Sequence, residues 1–152
     1  MRDNQPANLD AEASVIGSVM LNNELWHSVS DKLNAGDFYL TANQAMFRAI
    51  EALMDTEQPC DAVTVAERLE AVGELETVGG MGAVVDMAQN AIGYGNVEFY
   101  AQIVKNKSKQ RELIAAGNEI VTAAYGAGDV TDMIETAQQK VMAVGDDKNY
   151  EA

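Results

Sequence analysis

Along most of this chain apolar side chains recur at steps of three and four residues, the period of a helix with one buried face. The first run carries Leu9, Ala13, Ile16 and Met20, with Val15 and Val19 beside them. Asn8 or Asp10 offers a capping side chain at its start, and Asn22-Asn23 breaks it. Leu25, Trp26, Val29 and Leu33 make the stripe of a second helix, which Ala35-Gly36-Asp37 stops. After the short apolar stretch Phe38-Tyr39-Leu40, a third helix starts at Thr41 and carries Met46, Phe47, Ile50, Leu53 and Met54. Gln58-Pro59-Cys60-Asp61 is expected to be extended, because the residue before a proline is pushed out of the α region. Asp61 or Thr64 then begins a fourth helix with Val65, Leu69 and Val72, closed by Gly73 as a left-handed cap. Gly79, Gly80 and Gly82 punctuate the chain before the pattern resumes at Val84, Val85 and Met87, and Ile92-Gly93-Tyr94-Gly95 reads as a loop. No stretch alternates with period two, so no sheet is expected.

The last third is built on another plan. From Asn96 the helical pattern runs to about Tyr125, roughly 45 Å of helix. Gly126-Ala127-Gly128 is a turn, and Asp129 or Thr131 caps the final helix. On that helix Val130, Met133, Ile134, Ala137, Val141 and Val144 fall within about 100° of one another. The expected facing stripe on the incoming helix is Leu113, Gly117, Ile120, Val121 and Ala124, where Gly117 and Ala124 would permit close approach. Two antiparallel helices joined this way make an αα-hairpin. With Ile114, these two stripes are the candidate packing and interface residues.

Between Val104 and Leu113 no apolar side chain occurs. Lys105 and Lys109 fall on one side of the helix, while Lys107 and Arg111 lie nearly opposite, at about 100° per residue. A nucleic-acid patch would gather its cations on one face. A helix polar all round bridges solvent between packed units, so residues 105–112 read as a solvated stem holding the hairpin clear of the body. The expected organisation is a tail (1–7), a globular helical body (8–104), the stem (105–112), the hairpin (113–145) and the start of a linker (146–152). The fold class is all-α, a compact helical body followed by an extended hairpin.

Composition narrows the function. The net charge of −14, with only ten Lys and Arg in 152 residues, disfavours a phosphate backbone, whose binding needs a basic surface. It equally disfavours an anionic membrane. One cysteine, Cys60, excludes an intramolecular disulfide framework and fits a reducing compartment. The polar start MRDNQPANLD is no signal peptide, and no apolar run reaches membrane-spanning length. The expected location is the cytoplasm. The sequon Asn106-Lys107-Ser108 is therefore a chance match.

Candidate chemistry is sparse. Gly79-Gly80-Met81-Gly82 lacks the Lys-Ser/Thr pair of a phosphate loop and reads as a structural turn. The single histidine, His27, lacks the carboxylate or cysteine partners of a base or metal ligand and reads as a rim residue. Cys60 has no neighbouring cation to activate it and reads as a buried filler. The Asp and Glu residues read as solvated helix faces, and Met20, Met46, Met54, Met87 and Met133 as packing. No catalytic residue, cofactor site or metal site is expected.

The chain resembles the N-terminal domain of DnaB-type replicative helicases. The resemblance rests on Asn8 to Leu21, with Ala11-Glu12 ahead of Val15-Ile16-Gly17 and Met20-Leu21, and continues through Asp37-Phe38-Tyr39 and Gln44 to Phe47 with Ile50. It then takes in Asp61 to Leu69, Gly73 with Leu75, Val78-Gly79-Gly80, Asn90, Asn96-Val97 and Tyr100 to Val104. Arg111-Glu112, Asn118-Glu119-Ile120 and Val141 extend it into the hairpin. The family commonly has proline after the equivalent of Asn90, whereas Ala91 stands here.

The resemblance implies a helical body plus hairpin that associates in pairs and builds a collar above a separate ATP-driven motor. It also implies docking of primase or loader proteins on that collar, and no ATP hydrolysis by this part. Two alternatives stand beside it: a free-standing mobile-element protein that mimics the collar, and the helicase-binding domain of a primase. Fluorescence anisotropy with a labelled oligonucleotide at low salt is expected to show no tight binding. Saturation that disappears in Lys107→Ala/Arg111→Ala would reinstate a nucleic-acid role.

Overall fold

A computed structural model of the chain describes residues 5–91 and 96–146. The loop expected at residues 92–95 lies outside them, as do most of the expected tail and linker. Among the described residues there are eight α-helices and no strand. They are α1 (Leu9–Leu21), α2 (Trp26–Lys32), α3 (Thr41–Asp55), α4 (Ala62–Ala71), α5 (Leu75–Val78), α6 (Met81–Gln89), α7 (Val97–Ala124) and α8 (Val130–Gly145). Short 3₁₀ turns at Asn23–Leu25 and Ala35–Asp37 flank α2.

Local chemistry sets most boundaries. Asn8 caps α1 by accepting from the Ala11 N–H at 3.0 Å. Asp61 and Thr64 cap each other reciprocally at the start of α4. Gly79 and Gly80, at φ 102° and 87°, take backbone conformations that favour glycine, and so separate α5 from α6. The Gly79–Gly82 stretch is thus accounted for as a turn.

The central element is α1. Ala11, Glu12 and every residue from Ser14 to Met20 are buried, because α3, α6 and α7 all pack around it. At Gly17 a side chain would run into the Met87 carbonyl and the Ala91 methyl, so only glycine permits this approach of α6. Leu9, expected in the stripe, is instead exposed at the helix start, and Val72 is exposed at the end of α4. Phe47 of α3 lies between Trp26 and Phe38, with ring centroids 5.2 and 5.1 Å away.

Two acids depart from the expectation of solvated faces. Glu12 is 1% exposed. Its carboxylate accepts from the Tyr39 N–H at 2.6 Å, the Leu40 N–H at 3.5 Å and Asn43 Nδ2 at 2.8 Å. The residue preceding α3 is Leu40, whose side chain cannot cap. Glu12 instead ties down the two residues that lead into α3 and the Asn43 side chain of its first turn, and its charge lies at the positive end of the α3 dipole. Asp37 is the second buried acid, and it anchors α7 to the body.

Glu12→Ala leaves those donors buried without an acceptor, so a loss of about 3 kcal/mol is expected in urea unfolding. Glu12→Gln, which keeps an acceptor oxygen, is expected to lose clearly less. Equal losses in the two variants would remove the role given to its acceptor oxygens.

Candidate interaction site on the helical hairpin

The first half of α7 is a wall of the body. Val97, Ala101 and Val104 are buried at helical spacing, and one more turn continues inward although its side chains are polar. Lys105 is 7% and Ser108 4% exposed. Ser108 Oγ donates to Asp37 Oδ1 at 2.8 Å, and Lys105 Nζ lies 3.4 Å from both Asp37 oxygens. The other Asp37 oxygen accepts from the Asn34 N–H at 2.9 Å.

Arg111 completes the contact. Its two terminal nitrogens donate to the Pro6 and Asp37 carbonyls, each at 2.7 Å. Its guanidinium also sits 5.4 Å from the centre of the Tyr39 ring.

The expectation of a stem solvated all round is therefore corrected. Lys105, Ser108 and Arg111 span roughly 120° of the wheel, and that side docks on the body. Polar side chains are buried there because a sequence-distant carboxylate and two main-chain carbonyls satisfy them. Lys107 and Lys109 are half-buried.

Beyond Arg111 the hairpin is built from α7 and α8 alone. Asp129 caps α8 by accepting from the Asp132 N–H at 3.3 Å, and Gly128, at φ 140°, makes the turn. Between the helices lie Ala116, Ile120, Met133, Ala137 and Val144, all buried or half-buried. A Lys140–Glu119 ion pair at 2.6 Å crosses from one helix to the other. No residue of α8 is fully buried.

This contact line keeps Ile120, Met133, Ala137 and Val144 of the expected stripes and leaves the rest outside. Leu113, Ile114, Gly117, Val121 and Ala124 on α7 are exposed, as are Val130, Ile134 and Val141 on α8. A side chain at Gly117 would meet nothing, so this glycine does not bring the helices together. The contact line runs through Ala116 and Ile120, roughly 60° around the wheel from the centre of the predicted stripe, of which Ile120 forms the inner edge. The physical reason is width. The apolar arcs of both helices exceed the roughly 100° that one partner helix covers. Apolar pattern alone therefore leaves open which part faces inward.

The uncovered residues form one face. On each helix the exposed apolar stripe is displaced in the same rotational sense, by about 95°, from the contact line. Antiparallel helices side by side are related by an approximate two-fold normal to their plane, so stripes displaced in one sense share one broad side. Leu113, Ile114 and Val121 thus lie beside Val130, Ile134, Val141 and Met142. Met142, 72% exposed, was not among the predicted residues, although its place on the outer edge of the α8 stripe could have been read from the wheel. A shallow hollow lined by Ala137, Gln138, Val141 and Met142 opens there.

The features considered for chemistry are occupied otherwise. His27 is exposed and Cys60 buried. Among the described residues no group of three or more His, Cys, Asp or Glu side chains is placed to hold a metal, and no helix is long and apolar enough to cross a membrane. Asn23 clamps the Cys60 peptide, accepting from its N–H at 3.2 Å and donating to its carbonyl at 2.7 Å.

The family model for the DnaB-like helicase N-terminal domain matches residues 4–106. The chain belongs to this family. The replicative DNA helicase DnaB of Buchnera aphidicola is 32% identical over 143 residues, covering 93% of this chain and 31% of that protein. The replicative DNA helicase DnaC of Bacillus subtilis is 34% identical over 148 residues, covering 97% and 33%. The chain thus spans about a third of the length of the curated relatives it matches. Among solved structures, the N-terminal domain of DnaB helicase from Mycobacterium tuberculosis superposes with a TM-score of 0.86 at 32% identity, covering 92% of this chain and 99% of that one. Membership of the DnaB-like family places the chain on the helicase side of the helicase and primase readings.

Burial pushes the Cys60 thiol from an ordinary 9.0 up to about 12, with the neighbouring Asp61 adding to it. The folded protein therefore holds this proton more tightly than the unfolded chain. Its contribution to stability is complete below pH 9 and is lost as pH rises towards 12. Cys60 in the folded protein is expected to resist iodoacetamide at about pH 8 and to react once guanidinium unfolds the chain. Rapid alkylation of the native protein would contradict its burial.

Proposed function

We propose that this chain is a non-catalytic collar domain of a replicative DNA helicase, which pairs subunits through its hairpin and presents a docking surface for primase or a loader. The observation that carries the reading is the exposed face of Leu113, Ile114, Val121, Val130, Ile134, Val141 and Met142. A contiguous apolar face on a chain of net charge −14 marks a protein contact, not a solvated surface. A second hairpin placed against it gives a four-helix arrangement in which each copy covers the other, the isologous contact common in homodimers. Family membership supports the collar setting. Further support comes from a DnaB-like replicative helicase, described with its interactions with primase, that shares the fold at a TM-score of 0.79. Lys105, Lys107, Lys109 and Arg111 serve here as the base of the hairpin and not as a nucleic-acid contact.

Light scattering is expected to find dimers or larger assemblies of the wild-type chain. Ile134→Asp, on the uncovered face, is expected to shift them at least tenfold in concentration towards monomer with helical content unchanged, since a charge there must be desolvated on pairing. Ile120→Asp, between the helices, is expected to loosen the hairpin itself and lower its melting temperature. A wild-type chain that stays monomeric at high concentration would remove the pairing part of this reading.

A further inference from the structure

We infer that Asp37, Lys105, Ser108 and Arg111 form a latch that fixes the angle of the hairpin on the body, and that α7 bends within residues 105–112 when the latch opens. Two observations carry it. The hairpin reaches the body chiefly through α7, since α8 packs on α7 and buries no residue fully. The stretch 105–112 contains no apolar side chain, so what holds its inner side is the polar set around Asp37 and the Arg111 fork. Long helices curve to wrap the core they pack on, and along residues 105–112 the body holds α7 through those polar contacts.

The latch has two separable arms. One is buried, where Asp37 receives Ser108 and the Lys105 ammonium. The other is partly open, where Arg111 ties Pro6 and Asp37 together through their carbonyls and lies over Tyr39. Through Arg111 the hairpin angle is therefore joined to the segment that precedes α1. Anything that displaces residues 6–8 or the Phe38-Tyr39 corner releases one arm.

The geometry amplifies small changes. From Ser108 to Ala124 is about 24 Å of helix, so a change of about 10° at the latch moves the tip by about 4 Å. That is enough to take the apolar face out of register with a second copy. This consequence for pairing rests on the collar reading proposed for the chain, whereas the angle itself does not.

The test measures the angle within single chains. Spin labels at Thr77→Cys in the body and Thr131→Cys at the hairpin tip, in a Cys60→Ala background diluted with unlabelled protein, give the distance by pulsed electron resonance. With the latch intact one narrow distance is expected. Asp37→Asn/Lys105→Met/Arg111→Ala, which removes the ion pair of the buried arm and the whole Arg111 arm without stranding a buried charge, is expected to shift or broaden the distance by about 4 Å or more, with helical circular dichroism unchanged. Arg111→Ala alone leaves the buried arm in place and is expected to broaden it less. It decides the matter if the triple variant does not fold. An unchanged distance in folded variants, or a broad distribution in the wild type, overturns the latch. A monomeric wild type whose distance responds to the variants keeps the latch and removes only the pairing.

Discussion

Eight residues join α2 to α3, and two buried carboxylates, one of them within the connection, tie them to the helices around them. Glu12, from the first turn of α1, takes the main-chain donors of Tyr39 and Leu40 and the side chain of Asn43. Asp37, inside the connection, takes Ser108 and Lys105 of α7. The carbonyls of Phe38 and Asp37 are also used, by Gln44 Nε2 and by Arg111, both at 2.7 Å. A connection carrying this many polar groups cannot be buried unless each is satisfied. Once it is, α1, α3 and α7 have little freedom to move relative to one another. The aromatic cluster of Phe38, Phe47 and Trp26 then fills against a frame that polar contacts have already positioned.

This arrangement explains which features are legible in the sequence. Helices α1, α3, α4, α6, α7 and α8 are written in local apolar periodicity, and their ends in Asn8, Asp61, Gly73, Gly79 and Asp129. The buried acids are not legible as such. Glu12 and Asp37 look like any other acid in a chain that has 24 of them, and their partners, Asn34 apart, lie 27 to 71 positions away. One local hint exists for Glu12, a single carboxylate in a helix otherwise apolar or small from Ala11 to Leu21. For the stem, a wheel of charges points to solvent when each side chain is assigned to the direction of its own Cα. Lys and Arg reach far enough sideways to share a partner despite wide angular separation.

The hairpin shows a different limit. Its apolar residues stand out as a set, and most of them are there for packing of some kind. Which of them face α8 is decided by details that hydrophobicity does not encode. Ala116 and Ile120 turn inward, and Glu119 finds Lys140 across the gap. The part of each arc left outside is the surplus, and surplus apolar surface on both helices falls on the same broad side. A stripe wider than one partner needs is the surface that the proposed pairing would cover.

Charge decides what kind of contact suits that face. Residues 113–145 hold Glu119, Asp129, Asp132 and Glu135 against Lys140 alone, so two hairpins brought together repel in solution. Screening at physiological salt confines that repulsion to about 8 Å, and the acids near the turn stand at the end of the hairpin, not along its apolar side. Attraction must then come from desolvating the apolar side chains, a term that salt strengthens rather than weakens. Such a contact is short-ranged and demands register, since it is lost as soon as the stripes slide apart. A hairpin that associates this way is useful only if its direction is held, and its base is where the chain spends a buried ion pair, a hydroxyl and a two-pronged arginine.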